Sequence, residues 1–343
     1  MSELVMARAD VRLFIWHVAL YGLSAILEES GQLPDLRIAW TEGMQPRGRV
    51  VADGLDQALA DEVVKAHAAR HASNDSWVMR DIELSGKWRG LMSPRLTKMT
   101  DDEWPAIQRA RHGVIDELDS TGRWLDLRLL AALGEPCYWS MDHKGVMQQG
   151  DAASRLEMQP RNQGSEFVGT RLRSLAVAVA GRAPGGAVSG LSGATSVDEI
   201  GNDSASSSTP TGFSNVGPTD NAVAWCAMWG ISQLPTVSRA RKQAVTSGHL
   251  GQRRREWFYA PVWRGEWRPP RLRSVLASGQ LRGAASADLE PPIAADATQQ
   301  AAAGAWLAVR GVVGIMTFPI VEFGSKDAPA RRAMAGSSWP TGR

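Results

Sequence analysis

One stretch limits what this chain can fold into before any other. Between residues 183 and 218, Gly, Ser, Thr, Asn and Pro dominate, and periodic apolar residues all but vanish. That composition reads as a long mobile loop and not as a packed element. On its N-terminal side the pattern predicts a strand over 11–16. A helix follows over 17–29, with Val18, Leu20, Tyr21, Leu23, Ile26 and Leu27 at helical spacing, stopped by Gly31 and Pro34. Strands are expected at 36–41, 48–52 and 77–84. Helices are expected at 55–71 (Leu55, Leu59, Val63 and Ala66 on one face), 101–118, 124–133 and 166–181. On its C-terminal side, Thr219 or Asp220 caps a helix over 221–234. A strand at 257–262, a helix at 271–276 and an Ala-rich connector at 284–304 come next. The apolar run 305–323 reads as a buried helix end followed by a strand, and the tail after 324 as frayed. No repeat period appears, and strands and helices alternate irregularly. The expected class is therefore α+β, with irregular mixed strands and helices around a Gly/Ser-rich internal loop.

Charge divides the chain more clearly than hydrophobicity does. The 343 residues are 43% hydrophobic, enough for a real core, with a net charge of only +2. Residues 1–150 hold 17 Lys+Arg against 22 Asp+Glu, a balance of −5, while 151–343 hold 21 against 14, a balance of +7. The organisation read from this is an N-terminal, slightly acidic α+β region (1–150) and a basic C-terminal region (151–343) carrying the flexible loop 183–218. The basic half is the expected polyanion face. Cys137 and Cys226 are the only cysteines, too few for a disulfide framework or a structural zinc site, so a reducing cytoplasm is expected. Glu3, Arg8, Asp10 and Arg12 interrupt any N-terminal signal-like run. Arg310, Pro319 and Glu322 break the longest apolar run, so no membrane partner is expected.

The basic balance is concentrated in one place. Between 238 and 273 stand Arg239, Arg241, Lys242, Arg253, Arg254, Arg255, Arg264, Arg268, Arg271 and Arg273, opposed only by Glu256 and Glu266. Trp257, Trp263 and Trp267 are threaded among them. Guanidinium groups bind phosphate oxygens as a fork, and indole faces stack on unpaired bases, so this stretch is the candidate nucleic-acid-binding surface. Ordinary packing of Arg stems over Trp rings is the competing reading for each tryptophan.

Other motifs are weaker. The glycines at 181–193 lack the spacing of a dinucleotide fingerprint, and Gly86-Lys87 lacks the rest of a P-loop. His67 and His71 share a helix face, but no third metal ligand is specified, and a solvated face is the favoured reading. Cys137 with Asp142 and His143 suggests a cysteine-dependent hydrolase only as a minor alternative, since nothing supplies an oxyanion hole. Cys226 reads as core. No catalytic residue, metal or cofactor is implied, and the chain is expected to be non-enzymatic.

The stretches "HVALYGLSAILEESG" and "LRIAWTEG" resemble the opening of large and accessory subunits of type I-G (formerly I-U) CRISPR–Cas surveillance complexes. "TPTGFSNVGPTDNAVAWCAMWGISQLPTVSRARKQAVTSG" and "YAPVWRGEWRPPRLRSVL" are similar to their later loop–helix–basic pattern. The likeness covers about half the chain in patches. It implies a subunit of an RNA-guided antiviral defence complex, with guide RNA or target DNA and other subunits as partners. Contacts there go to backbone and shape while base pairing reads sequence. No nuclease carboxylate cluster or RNA-cleaving His pair carries over. A protein–protein scaffold without nucleic-acid contact is the main alternative.

Overall fold

A computed structural model of the chain describes residues 2–94, 100, 102–134, 138–141, 147–149, 153–158, 166–239, 242–252, 255–287, 297–325 and 328–340. The N-terminal half runs β1 (Ser2–Val5), α1 (Phe14–Glu29), β2 (Arg37–Trp40), β3 (Gly48–Ala52), α2 (Gln57–Ala72), β4 (Asp81–Leu84), β5 (Lys87–Gly90), α3 (Trp104–Ser120), α4 (Trp124–Leu133), β6 (Tyr138–Met141) and β7 (Met147–Gln149). A π-helical turn (Glu166–Leu172) then leads into α5 (Arg173–Ala180), α6 (Gly186–Ser192) and α7 (Asn221–Gly230). After these come β8 (Thr236–Arg239), β9 (Lys242–Thr246), β10 (His249–Gln252), β11 (Arg255–Trp263), α8 (Pro269–Leu276), α9 (Gly279–Ala287), α10 (Ala297–Val309), β12 (Val312–Ser325), β13 (Ala328–Ala333) and β14 (Ser337–Pro340). All pairings are antiparallel, and the expected α+β class holds.

Two helices form the axis of the core. In α1 nearly every residue from Phe14 to Leu27 is buried, and in α7 every residue is. A helix that is apolar all round belongs in an interior. The two cross where Gly22 meets Gly230. A Cβ on Gly22 would collide with the Cys226 carbonyl, and one on Gly230 with the Val18 carbonyl. Only hydrogen at both positions permits this backbone approach.

Two sheets flank this axis. The first has the order β1-β3-β2; the second runs β10-β11-β12-β13, with β14 also pairing β12. They are joined by reciprocal hydrogen bonds between Ile38 and Trp267, each 2.8 Å. Phe14 of α1 stacks on Phe258 of β11 at 4.4 Å and meets Phe213 edge-on at 5.8 Å. The principal core cluster includes residues from Leu4 to Ala333, so the charge boundary near residue 150 does not divide it.

The 183–218 stretch departs most from expectation. It contains a helix, α6, and ordered turns pinned by three aspartates. Asp61 of α2 accepts hydrogen bonds from the N–H groups of Gly185, Ala187 and Val188 (2.7, 2.8 and 3.0 Å), closing the start of α6. Asp198 is fully buried and accepts from Gly201 N–H, Thr209 Oγ1, Asn221 Nδ2 and Ser207 Oγ. Asp220 caps α7 through Ala222 N–H while holding Val197 N–H and the Arg182 guanidinium. Phe213, buried at the segment's end, accepts Ile15 N–H at the uncapped start of α1. The segment is polar because its order comes from hydrogen bonds to carboxylates rather than from apolar packing.

Other differences are smaller. Residues 11–13 precede α1 as a turn, and the opening strand is β1. Trp77–Met79 is a 3-10 turn rather than strand. The buried face of α2 is Ala60, Val63, Val64, His67, Ala68 and His71. The connector and tail instead contain α9, α10, β13 and β14.

Gly22→Ala and Gly230→Ala are each expected to destabilise by about 3 kcal/mol or more, because rigid backbone must move. Gly113→Ala, in open space mid-α3, is expected to stabilise by about 0.5–1 kcal/mol. Urea unfolding midpoints check the opposite signs. Asp198→Ala is expected to make the 197–221 segment the first site of limited proteolysis, before global unfolding.

Candidate nucleic-acid interface

The basic stretch is distributed over several elements. Arg239 and Lys242 face each other in register at the end of the β8–β9 hairpin. Arg241, Arg253 and Arg254 lie outside the described residues. Arg255 begins β11, is exposed and pairs in register with Gln252. Arg273 forms a two-pronged bridge to Glu28 at 2.6 and 3.1 Å, so it fastens α8 to α1.

A compact cationic surface remains where β11 turns into α8. Arg264, Arg268 and Arg271 are exposed there. Arg310 joins them from the α10–β12 turn. Arg264 N–H donates to Gly311 O at 2.8 Å, and Arg271 Nη2 donates to Arg310 O at 2.6 Å. Arg271 lies 4.9 Å from the Trp267 ring centroid and Arg310 lies 3.5 Å from that of Trp306. Cation–π seating fixes a guanidinium without neutralising it. The nearby Glu266 is engaged by Arg49 (3.4 Å) and Arg37 (3.8 Å). Among the described residues, none of Arg264, Arg268, Arg271 and Arg310 forms an ion pair.

The tryptophans do not serve as open platforms. Trp263 and Trp267 are 2% and 1% exposed and stack on each other at 4.6 Å. Trp263 also meets Trp40 edge-on at 6.0 Å. Base stacking by these two is corrected to core packing, because neither indole face is open to a ligand. Trp257 is half-buried against the core. Arg310 is the cation that sequence reading passed over. Its signal was present: an arginine beside Gly311, at the point where a helix pattern gives way to a strand.

A second polar assembly was also missed. His67 and His71 are buried, not solvated. Their i,i+4 spacing on α2 meets the i,i+4 spacing of Trp225 and Trp229 on α7, giving ring centroids 4.4 to 5.9 Å apart. Beside them, Asp126 of α4 is 1% exposed and accepts from Trp77 Nε1 at 2.6 Å and Arg70 Nη2 at 3.4 Å. Arg70 also bridges to Glu29 at 2.7 Å. Burial lifts the Asp126 carboxyl to about 6, opposed by Arg70. Burial holds His67 and His71 well below the ordinary imidazole value, and His17 at about 4. Among the described residues, no His/Cys/Asp/Glu group is arranged to hold a metal ion. Cys226 is buried, which pushes its thiol up and out of nucleophilic range. Cys137, Asp142 and His143 lie outside the described residues.

Among the described residues, no helix is long and apolar enough to cross a membrane. No family model, curated protein or solved structure matches the chain.

Folding favours the neutral form of each buried histidine. Their stabilising contribution is therefore complete above the unfolded value of 6.5 and declines as pH falls towards the depressed folded values. Asp126 acts oppositely, losing stability as pH rises from 3.8 to about 6. Four histidines, the buried His249 being held down in the same direction, outweigh one carboxylate. Unfolding free energy is expected to rise between pH 5 and 6.5, with each histidine supplying up to about 1.4 kcal/mol per pH unit. Denaturant melts across pH check this. His17→Gln should remove about one proton from the slope, whatever its effect on absolute stability.

Proposed function

We propose that this chain binds the nucleic-acid backbone through the surface built by Arg264, Arg268, Arg271 and Arg310, as a non-enzymatic subunit of a larger cytoplasmic assembly. One observation carries the reading: four neighbouring guanidinium groups have no carboxylate partner among the described residues. Elsewhere the same residue type is mostly engaged within the protein. Unpaired arginines on adjoining turns suit phosphate oxygens at helical or extended spacing, and such contacts position a strand without reading bases. The patchy likeness to type I-G CRISPR–Cas subunits supports an RNA-guided assembly, with guide RNA or target DNA as the bound strand.

A second reading has its own observation. Trp88 and Trp124 are 69% and 60% exposed, and exposed indoles are common anchors of protein docking. Salt separates the two. Phosphate binding releases counterions and weakens steeply with salt, whereas indole-anchored docking does not.

The test is binding to labelled single-stranded RNA, single-stranded DNA and duplex DNA over a salt series. Replacing Arg264, Arg268 and Arg310 by Ala is expected to reduce the steepness of the log–log salt slope by about one per residue. Arg12→Ala, at an arginine already held by Asp10 at 2.8 Å, is expected to leave the slope unchanged. Equal slopes for the triple variant and the parent would sink the assignment.

A further inference from the structure

A cavity of about 430 Å3 opens beside the buried His–Asp assembly and lies within the size range of small-ligand sites. It is bounded by the C-terminal turn of α2, the 73–77 connection, α3 and the start of α4. Val114, Leu118 and Trp77, all largely buried, give it an apolar wall. Three guanidinium groups line the remainder: Arg70, Arg80 and Arg123.

Arg80 is engaged by Glu117 at 2.7 Å. Arg70 holds Glu29 and Asp126 through Nη2, but its Nε is buried with no hydrogen-bond partner. Asp126 is satisfied by Trp77 and Arg70, and Ser76 Oγ accepts Val78 N–H. Arg123 is exposed, lines the cavity and forms no ion pair or side-chain hydrogen bond among the described residues. Its placement is set by the α3–α4 elbow. Gly122 takes φ +65 there, and Arg123 N–H closes onto Leu118 O at 2.9 Å. The unsatisfied capacity of the inner cavity is thus hydrogen-bond donation from guanidinium groups, next to an apolar wall. Three carboxylates also line the cavity: Glu117 is paired with Arg80, Asp126 with Arg70, and Asp75 stands exposed at the mouth.

We propose that this cavity binds a small organic oxyanion, a carboxylate or phosphate monoester with an apolar body. Its head meets Arg123, and its body lies on Val114, Leu118 and Trp77. Guanidinium forks match both kinds of head group. The site is separate from the Arg264–Arg310 surface, and neither proposal depends on the other.

Isothermal titration of the full chain with benzoate, phenyl phosphate and the neutral control benzamide tests this. At least one anion is expected to bind one saturable site, and benzamide at least about tenfold more weakly, the difference one charged hydrogen bond makes. The two anions distinguish a carboxylate from a phosphate ester. Arg123→Ala is expected to weaken anion binding by about tenfold or more while unfolding as cooperatively as the parent, since its side chain forms no ion pair or hydrogen bond among the described residues. Asp75→Ala, which removes the charge at the mouth, is expected to tighten it. Arg268→Ala is expected to leave it unchanged. Failure of both anions to bind below about 10 mM, weaker than a ligand of this size should reach in a formed pocket, would overturn the proposal. So would equal affinity in the parent and Arg123→Ala.

Discussion

The backbone approach of α1 and α7 at Gly22 and Gly230 governs the rest of the structure. With a Cβ on either residue the helices would separate, and the rings placed by α7 would lose their partners on α2. Trp225 and Trp229 reach His67 and His71 only because α7 lies this close to the axis. Phe14, near the start of α1, sets the seat for Phe258 and Phe318 of the large sheet. The helix pair therefore positions both the sheet that carries the arginine surface and the ring layer that shields the cavity floor. Packing of this kind transmits strain because interiors have few voids in which to absorb it.

Arginine does two jobs in this protein. Many of the described guanidinium groups act as internal fasteners. Arg182 joins Glu199 to Asp220 beneath the 183–218 segment, Arg331 joins Glu256 to the Glu157 carbonyl, and Arg173 joins Asp81 to the Val78 carbonyl. Such buried or half-buried bridges are tolerable because the fork leaves few donors unmet. Abundance of arginine in the sequence therefore does not by itself indicate a ligand. Absence of a carboxylate partner is the more selective criterion, and Arg264, Arg268, Arg271, Arg310 and Arg123 meet it among the described residues.

Periodicity made the helices legible. The helix over 124–133 is found with those bounds, Asp220 does cap α7, and the strand and helix flanking 264–268 lie where alternation and spacing put them. Periodicity could not reveal order that rests on carboxylates. Asp61, Asp198 and Asp220 organise a segment whose residues look like linker, and one of the three lies more than a hundred positions from the helix it closes. The basic cluster was legible as a region but not as a site. Sequence neighbours such as Arg271 and Arg273 have different fates, one seated on an indole and one bound to Glu28, while Arg310 enters from another element. Trp263 and Trp267 read as platforms because composition cannot tell an exposed indole from one stacked on its neighbour.

Burying Asp126 and two histidines together would be unfavourable if each had to be charged. The ring layer settles which form they take. Trp225, Trp229 and Trp77 exclude water, so His67 and His71 stay neutral, and Asp126 is left with Trp77 and Arg70 as its stabilising donors. Arg70 is shared between Asp126 and Glu29 and cannot fully neutralise both. The neighbourhood therefore holds guanidinium donors poised at its edge and a carboxyl pushed toward protonation at its floor. Removing water penalises the buried Asp126 carboxylate, so negative charge is disfavoured at the floor of this neighbourhood, beside the α3–α4 elbow where Arg123 lines the cavity.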